Sequence, residues 1–177
     1  MAPTIGELLT RHARDCDELH ASAKEAVAST SWPAAEKRTV RLADAMWRHV
    51  DMQEEILFRS FDEAVGLTGR PVRVGEQHGR ILDLLASLVK RLCGDHRALR
   101  DDLIRMRTAA AERSAEAWLS ADASLAWRRH RHDTVEEGIF HPMAEHVLAQ
   151  DSADIVCRMS DILKRPGMPW EWDDRQR

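Results

Sequence analysis

The sequence contains no tyrosine, and it has only eight glycines, six prolines and three cysteines among 177 residues. The absence of tyrosine excludes chemistry that uses a tyrosyl radical. So few glycines and prolines argue against a β-sandwich or barrel, whose short strands need frequent turns. β-branched residues are sparse, whereas alanine, leucine, arginine, glutamate and aspartate dominate. This composition predicts an all-α protein.

The three cysteines, Cys16, Cys93 and Cys157, are far apart in the chain. This pattern is typical of reduced thiols rather than a disulfide framework, and without a CxxC pair it argues against structural zinc. No apolar run is long enough to span a bilayer, and residues 1–15 lack the hydrophobic region of a signal peptide. We therefore expect a cytoplasmic protein without a membrane partner. The net charge of −4 predicts that nucleic acid is not a partner either.

Helical periodicity predicts two long helices in the first half of the chain. Thr4 is a candidate N-cap for the first helix, which extends to about Ser29. The second helix starts at Pro33, where a missing N–H costs nothing, and extends to about Val65. Residues 66–71, with two glycines and one proline, are predicted to form a loop.

Two further long helices and a short one are predicted in the second half. The third helix ends near Gly94, and residues 94–113 form an extra helical insertion. Ser114 is the candidate N-cap of the fourth helix, which Pro142 kinks or restarts. A short helix follows at about residues 153–164, before a polar tail that contains two tryptophans.

These elements predict an up-down-up-down four-helix bundle with an extra helical insertion and a short C-terminal helix. Residues 1–150 would form the bundle, and residues 151–177 the C-terminal helix and tail. The chain also has one internal echo: MQEEILF (52–58) and VEEGIF (135–140) both place a glutamate pair ahead of an aliphatic residue and phenylalanine. The echo falls on the second and fourth helices, shortly after a histidine in each case.

Histidine placement is the most informative feature of the sequence. His132 and Glu136 are four residues apart, so on a helix both side chains project to one side and reach a common metal ion. His12, His49 and His78 fall on the other three predicted helices, at intervals of a helix plus a turn. Such a buried cluster requires compensation, which a metal ion provides. Mixed imidazole and carboxylate ligands suit iron, manganese or zinc.

The segments that carry these residues resemble the hemerythrin-like HHE cation-binding family, with its pattern H…HxxxE…H…HxxxE. They are HARDCDEL (12–19), RHVDMQEEILF (48–58), EQHGRILDLL (76–85) and RHDTVEEGIFHPM (131–143), within a similarity that covers about residues 7–149. The resemblance implies a bundle that holds two non-haem iron ions, which an oxo or hydroxo group can bridge; manganese and zinc are the alternatives. It implies as ligands His12, His49, His78, His132 and Glu136.

The second helix departs from the family pattern. The family has glutamate four residues after the second-helix histidine, whereas this chain has Gln53 there and Glu54 one residue later. Animal hemerythrins use this longer spacing for one of their carboxylates, and a neutral amide bridges two cations poorly. We therefore predict Glu54 as the second-helix ligand, with Gln53 as the alternative. Val74 stands where those hemerythrins have an additional third-helix histidine, so we expect one open iron position.

The other histidines are predicted to have structural or surface positions. His20 is expected in the core or beside the ligands, and His96 in a loop or a helix cap. His130, His141 and His146 are expected at the surface or at the end of the bundle.

The resemblance implies binding or sensing of O2, NO or peroxide at the open iron position, with an unspecified redox partner. Two other interpretations stay open: a di-iron oxidative enzyme that acts on a small organic substrate, and a helical interaction or storage module with a structural metal. A substrate-sized cavity beside the metal site would favour the enzyme. The chain has no ExxH, HExxH, GxSxG or Walker motif, which argues against ferritin-like, zincin, hydrolase and nucleotide-binding sites.

Overall fold

A computed structural model describes residues 3–66 and 76–165, with side chains for 3–66 and 81–165. Within these ranges the chain is helical and joined by turns, which confirms the all-α prediction. No helix in the described part is both long enough and apolar enough to cross a membrane. The elements are α1 (Ile5–Ala28), α2 (Trp32–Asp51), a first π-helical segment (Met52–Phe58), α3 (Arg59–Val65), α4 (Glu76–Ala111), α5 (Ala115–Val135), a second π-helical segment (Glu136–Phe140), α6 (His141–Val147) and α7 (Ser152–Leu163).

Local sequence signals set the helix ends as predicted. The Thr4 hydroxyl accepts a hydrogen bond from the Glu7 backbone N–H, and the Glu7 carboxylate accepts one from the Thr4 N–H. This reciprocal cap satisfies donors that the first turn leaves free. Pro33 lies in the first turn of α2. The Ser114 hydroxyl accepts a hydrogen bond from the Ala117 N–H and caps α5.

The prediction that the third helix ends near Gly94 is wrong. α4 is one helix of 36 residues, and the predicted insertion is its C-terminal half. A single glycine costs a helix only about 1 kcal/mol. The buried apolar face continues across it, from Leu92 to Leu99 and Leu103. Burial of this face outweighs the cost of the glycine, so the helix extends and no separate element forms.

The helices pack around a core that is divided into two hydrophobic clusters. α1 packs against α2, α2 against α4, α4 against α5, and α7 against the first π-helical segment. The first cluster includes Cys16, Met46, Leu99 and Leu125, and the second includes Leu9, Met52, Leu92 and Phe140. The chain has four long helical stretches, which are α1, α2 through α3, α4, and α5 through α6. Each stretch contributes apolar side chains to both clusters, and on each stretch polar residues lie between these two apolar groups.

Candidate metal centre

A layer of polar side chains separates the two hydrophobic clusters. It consists of His12 of α1, His49 of α2, Gln53 of the first π-helical segment, His96 of α4, His132 of α5, Glu136 of the second π-helical segment and His141 of α6. We call these seven residues the polar layer. His49 is partly buried, and the other six are buried. Because buried polar groups are costly unless they are paired, the polar layer requires a compensating interaction.

His96, His132 and Glu136 converge on one point in the polar layer. Nε2 of His132 lies 3.2 Å from Nε2 of His96 and 3.2 Å from Oε2 of Glu136. Nε2 of His96 lies 3.9 Å from Oε1 of Glu136. Two ligand atoms bonded at about 2.1 Å to one ion lie about 3.0–3.4 Å apart at octahedral or tetrahedral angles. These three residues therefore form a group that could hold a metal ion.

His12 and His49 form a second pair of imidazoles. Their Nδ1 atoms lie 3.4 Å apart, and their rings are stacked with centroids 5.5 Å apart. Burial lowers the pKa of His12, and it lowers the pKa of His49 to about 3. Both rings are therefore neutral at pH 7, so each has a nitrogen lone pair for a metal ion. His49 lines the same small cavity as His96 and His132, so this pair lies beside the first group.

Glu136 supplies the negative charge of the polar layer. Burial favours its neutral form, but the hydrogen bond and charge of His132, with His141 and His49 beyond, lower its pKa to about 2. Burial disfavours protonated His132 in turn, yet the hydrogen bond and charge of Glu136 raise its pKa overall. Both pKa shifts have the same cause, because the negative carboxylate of Glu136 and a proton on His132 stabilise each other. A metal ion supplies a positive charge in place of the proton.

Gln53, and not its neighbour Glu54, enters the polar layer from the second long helical stretch. Its Nε2 donates a hydrogen bond to Oε2 of Glu136 at 2.6 Å. Its carbonyl oxygen is buried and has no hydrogen-bond partner among the described residues. The π-helical turn carries an extra residue, and such turns occur frequently at functional sites. The amide of Gln53 therefore orients the Glu136 carboxylate and keeps an acceptor free.

Glu54 lies behind His96. Its Oε1 accepts a hydrogen bond from Nδ1 of His96 at 2.8 Å. Arg100 holds this carboxylate from the other side, with Nη1 3.9 Å from Oε2 of Glu54 and Nη2 2.9 Å from Asp51. A carboxylate on Nδ1 fixes the imidazole ring and leaves Nε2 free to bind a metal ion. Glu54 thus positions a candidate ligand and contributes no atom to the His96, His132 and Glu136 group.

His141 approaches the same carboxylate from α6. Its Nε2 lies 3.7 Å from Oε2 of Glu136, which is too long for a hydrogen bond. That nitrogen has no hydrogen-bond partner among the described residues. Burial lowers the pKa of His141, so its ring is neutral at pH 7.

Several polar atoms in this layer are buried without a hydrogen-bond partner in the described part of the chain. They are Oε1 of Gln53, Nδ1 of His132, Oε1 of Glu136 and Nε2 of His141. Each such group costs about 1–3 kcal/mol when it is left unsatisfied. Their concentration in one layer fits a cation, which would bind these oxygen atoms of Gln53 and Glu136 and Nε2 of His141 together.

Aromatic rings close one side of the polar layer. Phe58 stacks on His96 with ring centroids 5.7 Å apart. Phe140 meets Phe58 edge-on at 4.9 Å, and Phe61 meets Phe140 edge-on at 5.2 Å. These are the three phenylalanines of the chain. They exclude water from this side, which strengthens electrostatic interactions within the polar layer.

A small cavity lies on another side of the polar layer. Its volume is about 30 Å³, and its lining includes Cys16, Leu99, Arg129, His49, His96 and His132. A cavity measured in this way holds a water molecule from about 10–15 Å³ upwards, so this one has room for one or two. Burial raises the pKa of Cys16 to about 12, so the lining carries a thiol and no thiolate. The cavity therefore has room for water or a diatomic molecule beside the candidate ligands.

The structure brings most of the sequence-predicted ligands together. Those in the polar layer are His12, His49, His132 and Glu136. Glu54 reaches the layer only through His96. The backbone of His78 lies on α4, eighteen residues before His96 and thus about 27 Å away along the helix axis. The side chain of His78 lies outside the described residues, and the histidine that α4 contributes to the layer is His96.

Two histidines of the polar layer were expected elsewhere, and both expectations are wrong. His96 lies within α4 and has no solvent exposure, where a loop or cap was predicted. The spacing from Leu92 to Leu99 indicates its inward direction, provided that the helix continues through Gly94. His141 is buried in the polar layer, where a position at the surface or at the end of the bundle was predicted. No spacing rule for α-helices could have found it, because a π-helical turn precedes it.

The remaining histidines lie outside the polar layer. His20 pairs with Asp122, whose other carboxylate oxygen lies 3.1 Å from Nζ of Lys24. His20 was expected in the core or beside the ligands, and its side chain is only partly buried, against Asp122. His130 and His146 are exposed, as predicted.

Comparisons of the chain with protein-family models, curated proteins and solved structures find no match in any of the three. What the polar layer does must therefore be inferred from its residues and their geometry.

Proposed function

We propose that this protein is a hemerythrin-like non-haem iron protein, with an up-down-up-down four-helix bundle around a centre of two iron ions. Its function would be to bind or sense O2, with NO and peroxide as the alternative ligands. The proposed ligands are His12 and His49 for one ion, His96 and His132 for the other, and Glu136 for both. The resemblance of the sequence motifs to that family supports the choice of iron.

The observation that carries the proposal is the convergence of His96, His132 and Glu136 between two hydrophobic clusters. Their contacts of 3.2 to 3.9 Å have the spacing of metal ligands, and the group is almost completely buried. Structural polar networks satisfy their members with hydrogen bonds. Here Oε1 of Glu136 lacks such a partner among the described residues.

The residues around the centre have distinct roles in this proposal. Iron bound here would supply a redox-active Lewis acid to which a small molecule can bind. Neutral imidazoles hold such an ion without adding negative charge, and the Glu136 carboxylate offsets part of its positive charge. Glu54 keeps Nε2 of His96 directed at the ion, because it accepts the Nδ1 proton at 2.8 Å. Phe58 and Phe140 keep water away from this side.

The size of the adjacent cavity favours a diatomic ligand over an organic substrate. About 30 Å³ accommodates one or two non-hydrogen atoms beside His49, His96 and His132. An oxidative enzyme would need a pocket of about 300 Å³ or more to enclose even a small organic substrate. This comparison weighs against the enzyme interpretation and in favour of a binding or sensing protein.

The proposal is tested by metal content and ultraviolet–visible spectra of the anaerobically purified protein, before and after exposure to air and to NO. We expect about two iron ions per chain and a spectrum that changes with each gas. His132→Ala should lose the iron, whereas His146→Ala, which alters an exposed histidine on α6, should keep it. Wild-type protein without iron affinity, or equal iron content in both variants, would contradict the proposal.

The ligand on α4 is tested separately. His96→Ala should lose iron because it removes a nitrogen 3.2 Å from Nε2 of His132. His78→Ala should retain it, since its backbone lies about 27 Å from His96 along the helix axis. The reverse result would restore the ligand set that the family resemblance implies.

A further inference from the structure

The second π-helical segment determines which side chain lies beside Glu136. In an α-helix, residues five apart point about 140° away from each other, because each residue turns the helix by about 100°. In this segment the His141 N–H instead donates to the Glu136 carbonyl, a bond that spans five residues. The wider turn brings Glu136 and His141 to one face of the helix. His132, four residues before Glu136, already lies on that face.

Nε2 of His141 has no hydrogen-bond partner among the described residues at that position. Its Nε2 points towards Oε2 of Glu136 at 3.7 Å, and the residue is 9% exposed. A buried, unsatisfied imidazole nitrogen costs about 1–3 kcal/mol. The ring of Phe140 packs edge-on against the imidazole of His141, with ring centroids 6.4 Å apart, and offers it no polar contact. The local structure therefore directs Nε2 of His141, which is buried and unsatisfied at a cost in free energy, at Glu136, the one carboxylate of the polar layer.

The carbonyl oxygen of Gln53 is in the same condition. It is fully buried, has no hydrogen-bond partner among the described residues, and belongs to the amide that donates to Oε2 of Glu136. Two unsatisfied atoms of the kind that bind metal ions, one imidazole nitrogen and one amide oxygen, thus belong to residues that approach this carboxylate oxygen. Neither is part of the His96, His132 and Glu136 group.

We propose that His141 is an additional metal ligand, which binds through Nε2 to an ion that Glu136 also binds. This inference rests on the proposed function and extends its ligand set. The separation of 3.7 Å is close to the ligand spacing of about 3.0–3.4 Å, so a small movement of either side chain completes the contact. A neutral imidazole would then supply a ligand to a centre in which Gln53, unlike the glutamate of the family pattern, offers no carboxylate.

The test compares metal affinity in His141→Phe and His146→Phe. Phenylalanine keeps the volume of the ring and removes its nitrogen atoms, and His146 lies five residues further along the same helix with an exposed side chain. Metal-free protein is titrated anaerobically with Fe²⁺, and with Zn²⁺ as a redox-inert probe, while circular dichroism monitors the helices. We expect at least tenfold weaker binding for His141→Phe with unchanged helicity, and wild-type affinity for His146→Phe.

The outcomes separate this inference from the proposed function. If wild-type protein binds metal and His141→Phe binds it equally well, the additional ligand is wrong and the iron centre stands. If wild-type protein binds no metal, the proposed function itself fails.

A measurement on the wild-type chain decides the question if His141→Phe does not fold. Nitrogen-15 spectra of histidine side chains, recorded without and with Zn²⁺, report coordination directly. We expect the Nε2 resonance of His141 to shift on metal binding while that of His146 stays constant. An unshifted His141 resonance in the metal-loaded protein would overturn the inference.

Discussion

At the scale of single residues, the neighbours Gln53 and Glu54 have different roles at the candidate metal centre. Consecutive helical side chains point in different directions, so only one of the two can enter the polar layer. Gln53 lies inside it and donates to Glu136, whereas Glu54 accepts a hydrogen bond from His96 and contacts Arg100. The layer therefore contains one carboxylate, and the second acts through an imidazole.

Replacing Gln53 with glutamate should have opposite effects on the two forms of the protein. Without metal, a second carboxylate about 2.6 Å from Glu136 would repel it, so the variant should unfold at lower temperature or take up a proton. With metal, the added negative charge should strengthen binding. Calorimetric melting of both forms and a metal titration measure these effects. A variant with unchanged affinity would show that position 53 does not face the metal.

Replacing Glu54 with glutamine should weaken metal binding without abolishing it. The amide can still accept the Nδ1 proton of His96, but it loses the charge that increases the basicity of the imidazole. Such positioning carboxylates typically contribute about 10–100-fold in metal affinity. Competitive titration with a chelator of known affinity measures the loss. Complete loss of iron, comparable to that of His132→Ala, would instead identify Glu54 as a ligand.

At the scale of elements, the two π-helical segments coincide with the internal echo of the sequence. MQEEILF is the first segment, Met52–Phe58, and VEEGIF ends in the second, Glu136–Phe140. Each segment places one residue of the polar layer near its start and a buried phenylalanine at its end. The echo thus marks a repeated local structure, in which an extra residue turns polar side chains towards the site and an aromatic ring closes it.

The continuity of α4 gives a stability prediction. A Cβ added at Gly94 would meet no atom within 4 Å, so alanine there gains helix propensity without a clash. Gly94→Ala should stabilise the protein by about 0.5–1 kcal/mol, or roughly 1–4 °C in melting temperature. Iron content should not change. As the matched control, Gly66→Ala should destabilise it, because Gly66 has a φ of 71°. A lower melting temperature for Gly94→Ala would contradict this account of α4.

How much the sequence predicted differs from one element to another. Caps at Thr4 and Ser114 and the break at Pro33 are local signals, and the structure contains all three. The predicted end at Gly94 is wrong because the burial of distant apolar side chains outweighs one glycine. The π-helical turns were not predicted, since hydrophobic periodicity does not distinguish one extra residue per turn from a regular helix.

At the scale of the whole molecule, the polar layer interrupts the hydrophobic core. The first cluster lies on one side of it and the second on the other, and each of the four long helical stretches crosses it. Buried groups without hydrogen-bond partners among the described residues make this layer costly in the metal-free fold. Metal ions bound in this layer would together link all four stretches, so they should stabilise the entire chain and not only one helix.

Removal of metal should lower the melting temperature of the wild-type protein. A ligand present at 100 times its dissociation constant stabilises the folded state by about 2.7 kcal/mol. For a chain of this size that corresponds to roughly 5–10 °C. Differential scanning calorimetry before and after chelation measures the change, and added Fe²⁺ should reverse it. His132→Ala should not respond to the chelator. An unchanged wild-type melting temperature would favour a helical module without a functional metal.

The sequence by itself determined the helical composition, most helix ends and the pairing of His132 with Glu136, because these depend on neighbours within one or two turns. Only the tertiary structure decided that His96 is the α4 residue of the polar layer, that Gln53 faces Glu136, and that His141 points inward. These features depend on the axial position and rotation of one helix against another. Packing between distant segments sets this axial position and rotation. A single π-helical turn changes both, and the helix propensities of the residues in it do not reveal the turn.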